Sequence, residues 1–342
     1  MKQYLLPENG NLYKACLHSH STVSDGKYTP AELKEIYKSR GYHILAMSDH
    51  ELLVDHSELD DENFLTLTSY EYAICEKTDW NHARTLEFNL FAKDQHNETQ
   101  VCFSPTSVKH GETWRVPHVK YVGETLKKEF SAEFCQRVID EANKNGFLVS
   151  LNHPISSFLT TDIIRKFNGL FAMEIYNQDS IICGVNEHGI SMYEELLRRG
   201  KPWCCIAADD FHGTLRNEFP APGFVMIKAD ELRYDKIIAA LEAGDFYAST
   251  GPVIEQLYVE DGKAHLKCSP VKYIAMTTPH RPAGGARCAE PDKYITEATF
   301  NIPDGLSYIR FDLCDEHGNR AHTRGYSPDG SREIPNTPSF KD

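Results

Sequence analysis

Apolar runs that end on a histidine or a carboxylate recur along the first 250 residues, and no other feature restricts the fold of this chain so much. "NLYKACLHSH" (11–20) reads as a strand whose end carries His18 and His20. "HILAMSDHE" (43–51) ends in Asp49 and His50, and "FLTLTSYEYAI" (64–74) places Glu71 near its end. "LEFNLFAKD" (86–94) is a further strand. "FLVSLNHP" (147–154) delivers His153, "GLFAMEIYN" (169–177) delivers Glu174, and "PWCCIAADDFH" (202–212) delivers Asp210 and His212. Helical patterns lie between several of these runs. "TPAELKEIYKSRG" has Thr29 to cap it, Pro30 for its first turn, Leu33, Ile36 and Tyr37 for a buried face, and Gly41 to end it. "SAEFCQRVIDEANKNG" starts on Ser131, and "MYEELLRRG" and "YDKIIAALEAG" follow. This alternation predicts an α/β fold with parallel strands and crossover helices. Such folds build their sites at the C-terminal ends of strands, where the polar residues here fall.

The pattern changes after "YASTGP" (247–252). Alternating segments with Asp-Gly, Pro and Asn turn signals predict a small antiparallel β module over 252–332. Its "DEHGNRAH" reads as a solvated turn. Residues 1–251 are the expected main domain, with an irregular insertion at about 95–130, and 333–342 form a polar tail. The 342 residues suffice for one large and one small unit.

A net charge of −14 gives no basic footprint for general nucleic-acid binding, and a proofreading nuclease would need a basic channel. No apolar run approaches a membrane span and no signal-peptide core is evident. Ten scattered cysteines without a CxxC pair fit free thiols, so a cytoplasmic location is expected.

The strand ends gather His18, His20, Asp25, Asp49, His50, Glu71, His153, Asp210 and His212, with His82 and Glu87 between. Imidazole with carboxylate suits Zn²⁺, Mn²⁺ or Fe²⁺. Alternate residues of a strand share a face, so His18 with His20, and Asp210 with His212, can each meet one ion. So many donors exceed one ion and suit two or three.

"LHSHSTVSDG…TPAELKEIYKSRGYHILAMSDHE", "SYE" at 69–71, "NHP" at 152–154 and "DDFH" at 209–212 resemble, in order, the motifs of the PHP (polymerase and histidinol phosphatase) family over residues 11–250. The resemblance implies a distorted (β/α)₇ barrel, two or three divalent ions and phosphoester hydrolysis. It implies that His18, His20, Glu71 and Asp210 hold a first ion, that Glu71 bridges to a second also taking His153, and that Asp25, His50 and His212 hold a third. Asp49 then supports the ligands rather than binding metal. The C-terminal segment resembles the extension of the CehA/McbA-like branch. One departure stands out: where the family usually has histidine on the strand after "SYE", this chain has Glu87, with His82 five residues earlier as the alternative ligand.

The expected reaction is attack on phosphorus by a metal-held hydroxide, with His212 or His50 as possible proton donor. The substrate is a small phosphomonoester or a nucleotide-like phosphodiester. Arg216, just past the Asp210 motif, is a candidate phosphate contact, and Lys109, His110, Arg115, His118 and Lys120 around Trp114 and Tyr121 are further candidates. A carbamate or amide hydrolase with the same metals, and a catalytically faded metal- or partner-binding protein, are the competing readings.

Overall fold

The computed structural model describes residues 1–77, 84–124, 127–186, 188–214, 222–280 and 285–331. The chain is a mixed α/β protein with its functional end at the junction of two sheets. The predicted first unit forms: strand Asn11–Cys16, helix Pro30–Lys38 and strand Ile44–Ala46, with the strands parallel through Ala15–Ile44 and Cys16–Leu45. The helix starts on Thr29, whose hydroxyl accepts from the Glu32 amide at 3.3 Å while the Glu32 carboxylate accepts from the Thr29 amide at 2.9 Å. Two orphan helix donors are thereby satisfied reciprocally. Leu33 and Tyr37, four residues apart, bury the inner face, and Ile36 is half-buried beside them.

Five strands make one sheet in the order Cys204–Ala208, Ala172–Asn177, Phe147–Leu151, Thr85–Ala92, Ser69–Cys75. The first three are parallel, but Thr85–Ala92 runs antiparallel to both neighbours. The all-parallel expectation fails here because too few residues separate Cys75 from Thr85 for a crossover, which takes a dozen or more. A nine-stranded sheet holds the rest of the frame: Leu65–Leu67, Ile44–Ala46, Asn11–Cys16, Phe224–Ala229 and Phe246–Ser249, then Arg320–His322, Arg310–Cys314, Tyr273–Thr277 and Gly285–Cys288. The antiparallel segments after residue 252 thus extend this sheet through the Ala248–His322 pairing. Ile254–Glu260, Lys263–Val271 and Ile295–Asn301, with Gln3–Tyr4, make a separate four-stranded sheet.

The ladders do not form one closed barrel. The five- and nine-stranded sheets meet through isolated bridges, Ser19–Phe211 on one side and His50–Glu71 and Val54–Ser69 on the other. At residue 68 the chain passes from the nine-stranded sheet directly into the five-stranded one. Helices Ala132–Lys144 and Ile190–Arg198 cover the five-stranded sheet with Phe134, Val138, Ile139, Tyr193 and Leu196. Tyr234–Ala243 covers the nine-stranded sheet with Ile237, Ile238 and Leu241. Among the described residues no helix is long and apolar enough to cross a membrane, and all ten cysteines are free thiols.

The segment expected to be irregular contains short parallel strands, Thr99–Val101 and Lys120–Val122, and tight turns over 105–107 and 113–118. In "DEHGNRAH" only 315–319 is a surface turn, in which Asp315 accepts from the amides of His317 and Asn319 at 2.8 and 2.9 Å; Arg320–His322 is a sheet strand with Ala321 buried, so the solvated turn expected there is shorter than the motif.

One buried cation ties the C-terminal strands to the frame. Arg310 is 2% exposed and pairs with Glu194 on helix Ile190–Arg198 and with Asp312, which also meets His322. Removing one member of a buried pair leaves the other charge uncompensated. Arg310→Leu is therefore expected to destabilise the fold by about 3 kcal/mol, read as a lower thermal midpoint. A surface substitution such as Lys263→Ala should leave the midpoint within error.

Candidate metal centre

The two seams between the sheets carry the predicted ligands. At one seam the His20 amide donates to the Phe211 carbonyl at 3.0 Å and the Asp210 amide to the His18 carbonyl at 3.0 Å. His18, His20, Asp210 and His212 therefore flank a single crossing. At the other, the Glu71 amide donates to the Asp49 carbonyl at 3.1 Å and the Glu51 amide to the Glu71 carbonyl at 2.8 Å. The Ser48 amide, donating to the Ser19 carbonyl at 2.9 Å, joins the strand ends that lie between the seams. These backbone bonds bring together the strand ends that carry His18, His20, His50, Glu71, Asp210 and His212.

Their donor atoms sit at ligand spacing. His18 Nε2 and His20 Nε2 are 3.2 Å apart, and Asp210 Oδ1 lies 3.1 Å from the first and 3.0 Å from the second. Two donors about 2.1 Å from one ion at tetrahedral angles lie about 3.4 Å apart. Asp210 Oδ1 is also buried with no hydrogen-bond partner. A buried acceptor left unsatisfied beside two imidazoles fits a divalent cation.

The Glu71 side chain, 1% exposed, spans the centre. Its Oε1 lies 3.3 Å from His18 Nε2 and 3.5 Å from His153 Nε2, and its Oε2 lies 3.0 Å from His50 Nδ1 and 3.5 Å from His20 Nε2. That is the arrangement a bridging carboxylate needs. Asp25 closes the outer side, 3.8 Å from His20, 3.7 Å from His50 and 3.5 Å from His212. Four overlapping sets result: His18, His20 and Asp210; His18, Glu71 and His153; His20, Asp25, His50 and His212; and His50, Glu71 and Glu87. Because they share members, they are not four separate sites. Glu87 Oε2 accepts from Thr85 at 3.0 Å and lies 3.8 Å from His153 Nε2. His82 and Arg216 lie outside the described residues.

Several residues orient the donors. Glu174 Oε1 takes His18 Nδ1 at 2.7 Å, and its Oε2 accepts from the His153 amide at 2.9 Å and from Asn177 at 3.1 Å. This carboxylate holds the Nδ1–H tautomer and leaves His18 Nε2 as the ligand atom. His212 Nδ1 donates to the Asp210 carbonyl at 2.9 Å, so its Nε2 is the atom turned toward Asp25. Asn152 donates to Glu71 Oε1 at 2.6 Å. Asp49 touches no ligand side chain; it accepts from the amides of Ser21 and Ser24 at 2.8 and 3.1 Å and from both hydroxyls at 2.7 Å. It thus shapes the loop that carries Asp25. The sequence reading places Glu174 at a strand end without a role, and gives none to Asn152 or Asn177. The only signal for Glu174 is the strand-end position it shares with the ligands.

Backbone strain collects at the same place. Asp210 has φ +53° and His153 φ +21°. Non-glycine residues held there cost about 1–3 kcal/mol each and persist where the surroundings over-determine them.

Of the basic residues expected to face substrate, Arg115 is held by Glu112 at 2.5 Å and stacks on Trp114, and Lys120 pairs with Glu98. Lys109, His110 and His118 are exposed, as are Trp114 and Tyr121. The segment leans on the metal-side loop: the Glu112 amide donates to the Val23 carbonyl at 2.9 Å, and a Cβ on Gly111 would lie 2.2 Å from the Val23 and Ser24 carbonyl oxygens.

Protonation follows from this packing. Burial works against charge at every buried member, yet Glu71, facing His18 and His50, and Asp210, facing His18 and His20, are held well below the usual carboxylate range. Against the same burial, Asp210, Glu71 and Glu174 raise His18, Glu71 and Glu87 raise His153, and Glu71 and Asp25 lift His50 to about 10. Burial, with His212 and His50 nearby, lowers His20. Burial and the Glu71 charge raise Glu87.

No family model matches the chain, and no curated protein matches it. Solved structures do. A two-domain protein containing a predicted PHP-like metal-dependent phosphoesterase from Bacteroides vulgatus aligns over 94% of this chain and 98% of its own, at 14% identity and TM-score 0.43. A protein described as a metal-dependent phosphoesterase from Bifidobacterium adolescentis aligns over 61% and 89%, at 17% identity and TM-score 0.39. An amidohydrolase from Chromobacterium violaceum with bound sulfate and no metal aligns over 58% and 87%, at 16% identity and TM-score 0.37. Likeness at this level says nothing of activity, which rests on the geometry of the site.

Two outcomes follow. Raised histidines hold protons at neutral pH that a metal must displace, so Zn²⁺ uptake should release protons and tighten from pH 6 to pH 8. Calorimetry in buffers of different ionisation enthalpy reads both effects, and pH-independent affinity would contradict the protonation pattern. Glu174→Gln should weaken Zn²⁺ binding by about 10–100-fold, the usual loss when a ligand's orienting partner is removed, with the far-ultraviolet circular dichroism unchanged.

Proposed function

We propose that this protein is a metal-dependent phosphoesterase acting on a small phosphomonoester or a nucleotide-like phosphodiester. The observation that carries the reading is the triangle of His18, His20 and Asp210 with its unsatisfied Oδ1, next to a Glu71 carboxylate that reaches both inner and outer donors. His18, His20, Glu71 and Asp210 would hold one ion, Glu71 and His153 a second with Glu87 beside it, and Asp25, His50 and His212 a third. Zinc, manganese and iron all suit imidazole with carboxylate. When bound, such ions offset charge on phosphoryl oxygens and bring the pKa of water into the working range.

The chain's own groups do the rest. Glu174, Asn152 and Asn177 keep the donors aimed. The leaving oxygen needs a proton, and His212 or His50, whichever is not committed to an ion, would supply it: His50 is 32% and His212 17% exposed, whereas His18 and His20 are fully buried. His212, with Nδ1 tied to a carbonyl, would donate from Nε2, and the third ion would then rest on Asp25 and His50. Arg216 is retained as a proposed phosphate contact. We read the frame as a distorted (β/α)₇ barrel drawn together at its seams, with residues 1–251 as the catalytic unit and 252–332 as a β module of the CehA/McbA-like branch. The overall acidity and free thiols suit work in the cytoplasm on a small soluble phosphate rather than on nucleic acid.

The test is an assay of the purified protein with p-nitrophenyl phosphate, bis-p-nitrophenyl phosphate and an aryl carbamate, before and after EDTA and after re-addition of Mn²⁺ or Zn²⁺. The expected result is phosphate-ester hydrolysis lost with EDTA and restored by metal. Carbamate hydrolysis alone would move the assignment to the amide class. Bound metal with no turnover of any ester would leave a metal-binding protein. His212→Asn should lower kcat on a poor leaving group by about 10²-fold and less on p-nitrophenolate, which needs little protonation.

A further inference from the structure

Away from the metal centre, a cavity of about 510 Å³ opens where helix Ile190–Arg198 and the turn after Cys314 meet the sheet. None of the proposed metal ligands lines it. Its volume falls within the range of small-molecule sites, about 300–1,000 Å³. The floor is apolar, made by Ile175, Ala207, Ala248 and Ile190. The rim carries the Arg320 guanidinium and the His188 imidazole, both exposed, with His322 deeper.

Three arrangements produce this character. Arg320 and His322 are alternate residues of one strand and share a face, while Ala321 between them is buried in the core. The backbone of Arg320 is fixed by Thr250, whose hydroxyl accepts the Arg320 amide at 2.9 Å and whose amide donates to the Arg320 carbonyl at 2.8 Å. Asp312 accepts His322 Nδ1 at 2.5 Å and also pairs with Arg310, so His322 is already engaged within the protein. Across the cavity, His188 is bridged to Tyr176 and set edge-on to its ring at 5.4 Å. Burial, and then the nearness of Arg320 and His322, lowers the pKa of His188, so this imidazole offers a hydrogen bond rather than a charge. Helix Ile190–Arg198 adds its N-terminal end at the same wall, where Gly189 has no side chain to cap it.

We propose that this cavity is a binding site for a small organic anion with an apolar body, its charged end held by Arg320 and His188 and its body on the Ile175–Ala248 floor. A guanidinium and an imidazole donor at the rim and apolar walls within match a carboxylate or phosphate head on a compact aromatic or branched tail. The assignment is independent of the hydrolytic reading, because it uses none of the metal-centre residues.

Benzoate is a suitable probe, and benzamide, of the same shape without charge, is its control. Calorimetric titration of the metal-loaded protein is expected to show benzoate binding, with benzamide much weaker. Arg320→Gln should weaken benzoate by about tenfold or more, the loss of a charge-assisted contact. Ser191→Glu, an exposed first-turn change that suits the helix end, should weaken it similarly by placing a like charge at the wall. Both variants should keep wild-type metal content and thermal midpoint. A benzoate-soaked crystal should show the ligand beside Arg320. Equal affinity for benzoate and benzamide, unchanged affinity in both variants, no benzoate binding, or density only among His18, His20 and Asp210 would each overturn the proposal.

Discussion

A carboxylate buried as deeply as Glu71 is stable only if its charge is answered, and the answer organises this molecule. Breaking such a pairing costs several kcal/mol. Glu71 meets His18, His20, His50, His153 and Asn152, which come from three strand ends on the two sheets. The charge therefore holds together what the β-ladders do not, since the two sheets are joined elsewhere in this region by isolated bridges. The same packing that lowers Glu71 raises the histidines, so the centre is a coupled set of protons and ligands. Occupancy by divalent metal replaces those protons and answers the carboxylates directly.

Around this centre the structure is graded from rigid to open. On the inner side Glu174 locks His18 and the His153 backbone, and Asp49 gathers Ser21 and Ser24. Strained backbone at His153 is held by its amide bond to Glu174, and at Asp210 by its amide bond to the His18 carbonyl. On the outer side Asp25, His50 and His212 are partly exposed, and Gly111 and Glu112 rest against the loop that carries Asp25. A fixed floor with an accessible rim is the arrangement that the proposed hydrolytic function requires.

Much of this was legible in the residues. Helix Pro30–Lys38 follows from Thr29, Pro30 and Glu32 because capping is local chemistry. The strands that carry His18, Glu71, His153 and Asp210 follow from apolar runs with polar ends. Glu174 escaped because a buried carboxylate that orients an imidazole has the same sequence signature as any strand-end acid. The reversed direction of Thr85–Ala92 was masked by composition, since a buried strand reads alike in either direction. Asn152 and Asn177 carry amides whose value lies wholly in what they face.

By itself the sequence determined the inventory: which segments form strands and helices, and which donor types stand at the strand ends. Those are properties of short stretches, set by periodicity, caps and side-chain chemistry. Only the tertiary structure decided that Glu71 stands between the inner and outer histidines, that Glu87 lies beside His153, and that Arg320 and His188 face one cavity from segments more than a hundred residues apart. Those relations depend on sheet order and register, which arise from long-range pairing and the need to satisfy buried charge, and no local stretch of the chain encodes them.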